Sequence, residues 1–247
     1  MRLLLANPNT SVRITERIAA VARGIAAPGT EIVAVTATAG VPYIATRAEA
    51  AIAGRATLEL MAEHGAGCDA AIVAAFADPG LGGARELMPV PVVGLAEAAM
   101  LTACMLGRRF AIVTFSGSLG PWYRECVEYQ GLTSRLAAIR CLDAPFTGID
   151  AVQAQLRDLL VALCCRSVAE DDAEVVILGG APLAGLARQI ADRVPVPLID
   201  GVEAAVRQAE TLVALALRKA TAGSFRRPAA KPAIGLPPKL ASMLDWT

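Results

Sequence analysis

The sequence predicts an α/β protein of two pseudo-symmetric lobes, each a four-stranded parallel sheet flanked by helices, with a ligand cleft between them. Two observations predict it. Short apolar strands alternate with helical stretches along the chain, the pattern of parallel sheets covered on both faces. The chain also carries one module twice: AIVAAFADPGLGGARELMPVPVVGLAEAAM (residues 71–100) is matched by VILGGAPLAGLARQIADRVPVPLIDGVEAAV (residues 176–206). Both copies read as buried strand, loop, helix, then a Pro-Val-Pro strand leading into Glu-Ala-Ala. Near the start, LLLANPNTS is answered by FAIVTFSGS from Phe110. The ligand site of a duplicated α/β protein falls between its halves, facing the carboxyl ends of the strands.

In order, residues 2–6 form a buried strand ending at Asn7-Pro8-Asn9-Thr10-Ser11, where Thr10 or Ser11 can cap the helix ITERIAAVARGI. EIVAVTA is the second strand. The loop after it holds Tyr43 and breaks at Pro42, before helical spacing resumes in AEAAIAGRATLELMAEHG. CDAAIVAAF is the third strand, followed by Ala77-Asp78-Pro79-Gly80 and a helix expected to begin at Pro79; VPVVG is the fourth. After the helix EAAMLTACMLG the order repeats: strand RFAIVTF, Ser116-Gly117-Ser118, helix PWYRECVEYQG, strand LAAIRCLD. A long helix over residues 149–169 leads to strand EVVILGG, helix APLAGLARQIAD, strand VPLID and the closing helix EAAVRQAETLVALALRKA. The expected organisation is a first lobe of residues 1–99 plus the closing helix at 205–220, a second lobe of 100–204, and a Pro-rich arm at 221–247. That arm is either packed on another surface or partly disordered.

At 247 residues, 55% of them hydrophobic and 19% charged, the chain can bury a sizeable core. Its 23 basic and 23 acidic residues cancel, so a nucleic-acid partner has no electrostatic support. No apolar run approaches the roughly 20 residues of a membrane span, and Asn-Pro-Asn arrives too early for a signal peptide. A soluble cytoplasmic protein is expected, without a membrane partner. Its apolar helices and C-terminal arm point to a homo-oligomer. Cys68, Cys104, Cys126, Cys141, Cys164 and Cys165 show neither CxxC spacing nor clustered ligands, so neither a disulfide framework nor a metal site is indicated. His64, the only histidine, stands before a Gly-rich helix end and suits a surface or C-capping role.

Strand-end loops gather backbone N–H groups at helix N-termini, where carbonyl or carboxylate oxygens are stabilised. Asn7, Asn9, Thr10 and Ser11 from one half, with Thr114, Ser116, Gly117 and Ser118 from the other, therefore form a candidate polar cradle; helix capping is the plainer use of the same residues. Glu97 and Glu203 recur at equivalent helix starts, and Asp200 stands at a strand end.

Through NPNTS at 7–11, FADPGL at 76–81, PVVGLAEAAM at 91–100 and LGGAPLAGLA at 178–187, nearly the whole chain resembles the aspartate/glutamate/hydantoin racemase superfamily, and most closely its hydantoin and allantoin racemase branch. The resemblance implies two α/β lobes with the substrate between them and no metal or organic cofactor. It also implies two cysteines flanking the substrate's acidic C–H, one thiolate removing the proton while the opposing thiol returns one. Here those places hold Ala75 and Gly180. The fold and pocket transfer, with Ala75, Phe76, Gly180, Ala181 and Pro182 lining the substrate; the two-thiol mechanism does not.

Another group must then act. Asp78 is the nearest ionisable residue, and burial would raise its pKa toward that of a useful base; its alternative role is to cap the helix expected at Pro79. Tyr43 can donate a proton or cover the site, and Glu97 is a further candidate. The expected function is a cofactor-independent isomerase acting on a small carbonyl compound with an acidic C–H: a hydantoin, an amino acid or a cyclic amide. The alternatives are a lyase or hydrolase of the same superfamily, using Thr114, Ser116 and backbone N–H groups as an oxyanion cradle, or a binding protein that keeps the pocket without catalysis.

Overall fold

Eight parallel strands form two separate four-stranded sheets in a computed structural model that describes residues 1–245. The first sheet has the order β2-β1-β3-β4, built from β1 (Arg2–Asn7), β2 (Glu31–Thr36), β3 (Ala70–Val73) and β4 (Val92–Gly94). The second repeats it as β6-β5-β7-β8, from β5 (Phe110–Thr114), β6 (Leu136–Cys141), β7 (Val175–Leu178) and β8 (Leu198–Asp200). Apart from Arg2, Asn7 and Thr114 at strand ends, the central strands β1, β3, β5 and β7 are apolar, as strands covered on both faces are. In β1, Leu3 and Leu5 enter the main core, whereas Leu4 and Ala6 face a second cluster with Ala71, Val73 and Leu60.

The strand order places the functional end of each sheet. In each, the chain leaves the two central strands in opposite directions, and the crevice between such strands at their carboxyl ends is where α/β sheets bind ligands. The loops after β1 and β3 hold Asn9 and Ala75; those after β5 and β7 hold Phe115 and Gly180.

Helices α1 (Val12–Ile25), α2 (Arg47–His64) and α3 (Leu81–Leu87) belong to the first half, as do α5 (Leu119–Tyr129), α6 (Val152–Asp171) and α7 (Leu186–Ile190) to the second. Two helices cross over. The helix after β4, α4 (Leu95–Leu106), packs on β5, β7 and β8 of the second sheet, while that after β8, α8 (Gly201–Ala214), packs on β3, β4 and α1 of the first. They also pack on each other, with Gln208 Nε2 donating to Ala98 O and Thr102 Oγ1, both at 2.9 Å.

Several elements differ from the sequence expectation, each for a local reason. The helix expected over 181–192 is broken into 3-10 turns at Ala181–Leu183 and Ala191–Arg193 around the short α7, because Pro182 cannot donate and Gly185 takes a left-handed φ of 81°. The closing helix ends at Ala214, and Ala216 is left-handed at φ 51°. The strand expected to reach residue 76 ends at Val73, and its continuation turns away after Ala74 N donates to Ala6 O at 2.8 Å. Within the arm, a ninth helix, α9 (Pro238–Leu244), lies against α2, burying Leu240, with Lys239 paired to Glu63. The last two residues of the arm, 246 and 247, lie outside the described residues. Among those described, no helix is long and apolar enough to cross a membrane.

Candidate functional site in the interlobe cleft

The polar residues after β1 build their own scaffold. Asn7, fully buried, donates from Nδ2 to Asn9 Oδ1 (3.0 Å) and Thr15 Oγ1 (2.9 Å), and its Oδ1 accepts Asn9 N at 3.2 Å. Asn9 Oδ1 also takes Ser11 N at 2.9 Å, and Ser11 Oγ caps α1 by accepting Ile14 N. Thr10 N donates to Val41 O at 2.9 Å, tying down the loop that carries Tyr43. Across the cleft, Thr114 Oγ1 donates to Gly179 O at 2.8 Å, and the exposed Ser116 and Ser118 hydroxyls bond to each other. Of the expected cradle, Asn9 alone reaches the wall of the cavity beside Ala75 and Gly180.

That cavity is small, about 20 Å³, and is lined by Asn9, Tyr43, Ala75, Phe76, Tyr123 and Gly180 together with Ile14, Ile44, Ala181 and Pro182. Aromatic rings close it. Phe76 packs on Tyr123 with centroids 4.8 Å apart, and Phe115 lies 5.8 Å from both Tyr43 and Phe146. Burial pushes the phenols of Tyr43 and Tyr123 well above the ordinary tyrosine range, so both stay protonated. Tyr123 was not singled out from the sequence. Its signal is the i, i+4 spacing of Leu119, Tyr123 and Val127, which sets all three on the buried face of α5.

Gly180 occupies a backbone conformation at φ 118° that side chains rarely adopt, and a Cβ there would lie 2.8 Å from the Phe115 ring. Ala75, by contrast, already carries its Cβ at the cavity wall.

Asp78 caps a helix, but not the one expected. It and Ala77 are left-handed at φ 54° and 81°, and the helix after them begins only at Leu81, without a side-chain cap. The turn sends the Asp78 carboxylate to the start of α4, where Oδ1 accepts Ala96 N (2.9 Å) and Oδ2 accepts Glu97 N (2.8 Å). Gly94 makes room, since a Cβ at that position would lie 2.3 Å from Asp78 Cγ. Desolvation pushes Asp78 up to about 7 against the opposing pull of those two N–H donors. Asp200 does the same work at α8 from the end of β8 itself, accepting Val202 N, Glu203 N and Gly185 N. Asp78 also lines a cavity of about 370 Å³ with Trp122, Glu125, Cys126 and Tyr129, where burial and the nearby Asp78 raise the Cys126 thiol to about 12.

Glu97 and Glu203 are held by equivalent ion pairs, Glu97 to Arg85 and Glu203 to Arg188. Neither lines the cleft wall. No group of three or more His, Cys, Asp or Glu side chains that could hold a metal occurs among the described residues.

Comparison with known proteins agrees with this architecture. The sequence pattern of the Asp/Glu/Hydantoin racemase family matches residues 3–209. The chain belongs to that family. Among curated relatives of this racemase-family chain, the hydantoin racemase of Paenarthrobacter aurescens is 36% identical over 94% of the chain and 99% of its own length. Among solved structures, an allantoin racemase from Klebsiella pneumoniae superposes with a TM-score of 0.92 at 39% identity, covering 97% of this chain and 98% of that one. Allantoin racemase from Pseudomonas fluorescens follows at 0.89 and 35%, covering 95% and 100%. These relatives support a racemase-type isomerase.

Proposed function

We propose that this racemase-family chain is a cofactor-independent isomerase that takes an uncharged cyclic amide with an acidic C–H, of the hydantoin or allantoin type, into the cleft at Ala75 and Gly180. The lining of that cleft carries the reading: Asn9, Tyr43 and Tyr123 offer neutral hydrogen-bonding groups, and no Asp, Glu, Lys or Arg is among the wall residues. A free amino acid would bring a carboxylate and an ammonium into a wall with no counter-charge, at a desolvation cost that nothing there offsets. A neutral amide brings carbonyl oxygens that such donors can satisfy.

With Ala75 and Gly180 in the places of the two thiols, the chemistry we propose is acidification of the C–H by hydrogen bonds to the adjacent carbonyl, with a water held in the cleft accepting the proton and water returning one to either face of the carbanion. Charge developing on that oxygen is met by protonated phenols in a water-poor site. Asp78 and Glu97 take positioning roles in this scheme, since their carboxylates are committed to the start of α4 and to Arg85. A cavity of about 20 Å³ has room for one or two waters. Entry of a ring compound therefore requires the Tyr43 loop or the segment bearing Phe146 to open.

The test is solvent exchange. The protein is incubated in D₂O with 5-benzylhydantoin, allantoin, aspartate and glutamate, and the C–H signal is followed by NMR against protein-free controls. Enzyme-dependent loss of signal with the cyclic amides and not with the amino acids is expected. A second reading, binding without turnover, is favoured by the missing thiols and by phenols too basic to ionise near neutrality; saturable binding with no exchange would select it.

A further inference from the structure

We propose that Tyr43 recognises the ligand through its hydroxyl, which donates a hydrogen bond to a carbonyl oxygen of the bound molecule. This rests on the reading of the cleft given above and assigns one residue's part in it. Among the described residues, Tyr43 Oη is the one buried side-chain polar atom without a hydrogen-bond partner. Folded proteins rarely bury such a group unpaired, because its hydration is lost and not replaced. The Tyr43 side chain borders the same cavity as Asn9, Ala75, Tyr123 and Gly180, so an acceptor placed there lies beside the residue that carries the unpaired hydroxyl.

Local structure holds the hydroxyl in place. The loop between β2 and α2 is pinned before Tyr43 by Thr10 N donating to Val41 O, and after it by Glu49 Oε2, which accepts Ala45 N at 2.7 Å and Thr46 N at 2.9 Å. Thr46 Oγ1 completes a reciprocal cap by accepting Glu49 N. The ring packs on Phe115, which follows β5 of the second sheet, so Tyr43 links the two halves beside the cavity. Its chemistry is that of a donor, since burial first and the Glu49 charge second keep the phenol protonated. With no cationic side chain in the wall to share a carboxylate, the acceptor it suits is a neutral carbonyl.

Titration calorimetry on the full chain tests the assignment, using 5-benzylhydantoin and its 2,4-dithio analogue, in which sulfur, a weak acceptor, replaces both carbonyl oxygens. Tyr43→Phe keeps the ring and removes the donor. The expected result is a five- to tenfold weaker hydantoin Kd, about the worth of one neutral hydrogen bond, with less than about twofold change for the dithio compound. The melting temperature of the ligand-free variant stays equal to or above that of the wild type, because an unpaired buried hydroxyl has been removed. A hydantoin Kd equal to the wild type's overturns the assignment. So does equal weakening for both compounds with a lowered melting temperature, which marks a packing role. If the wild type binds neither hydantoin nor allantoin, the reading of the cleft falls and the Tyr43 assignment with it; the first two failures leave that reading standing.

Discussion

Gly180 shows how far one backbone angle constrains this site. At φ 118° an L-residue is strained by roughly 1–3 kcal/mol, before the contact of its Cβ with Phe115 is counted. Gly180→Ala is therefore expected to lower the melting temperature by several degrees, whereas Ala75→Cys stays close to the wild type; thermal melts of the two variants check this. Asp78 makes a pH prediction. Its folded pKa of about 7 lies above the ordinary 3.8, so the stability it contributes is fully present below about pH 4 and is lost as pH rises through 7. Asp78→Asn cannot ionise, and its melting temperature should fall less between pH 5 and pH 8 than that of the wild type. Parallel pH curves for the two proteins would mean that Asp78 titrates at its ordinary value. The sequence identified Asp78 as a carboxylate prone to burial and capping, but its target was out of reach, since the helix it caps begins 17 residues downstream.

Among the elements, the arm is the least obvious from composition. Its Pro and basic residues are as compatible with disorder as with packing; the contact of α9 with α2, the burial of Leu240 and the packing of Met243 on the second apolar cluster decide the matter. Leu240→Ala should cost about 2–4 kcal/mol if that contact is part of the cooperative fold. It should also expose the segment from Leu215 onward to limited proteolysis that the wild type resists, with no change in the digestion of the rest of the chain. Resistance equal to the wild type's would show that α9 is held by other contacts. The strands were legible because β1, β3, β5 and β7 are apolar at consecutive positions. The region around α7 was not, because a Pro and a Gly three residues apart override an otherwise helical composition.

The whole molecule is joined by exchange of its closing helices. Since α4 covers the second sheet and α8 the first, neither lobe buries its core without a segment that follows the other half's strands. The main apolar cluster accordingly contains Leu3, Ile72 and Val93 from one sheet together with Ile112, Ile177 and Ile199 from the other. One cooperative unfolding transition is expected by scanning calorimetry, with calorimetric and van't Hoff enthalpies in agreement. Two resolved transitions would show that the lobes unfold independently despite the exchange.

By itself the sequence determined the α/β class, the duplicated strand order and the place of the cleft, because apolar periodicity, Gly and Pro punctuation and internal repetition are local properties written along the chain. Family resemblance singled out Ala75 and Gly180, which follow β3 and β7 and line one small cavity. The tertiary structure alone decided which helix covers which sheet, which helix Asp78 caps, that Glu97 is held by Arg85, and that the Tyr43 hydroxyl is buried without a partner. Each of these depends on groups far apart in sequence meeting in space, and on which of several possible partners is the nearer once both lobes have closed.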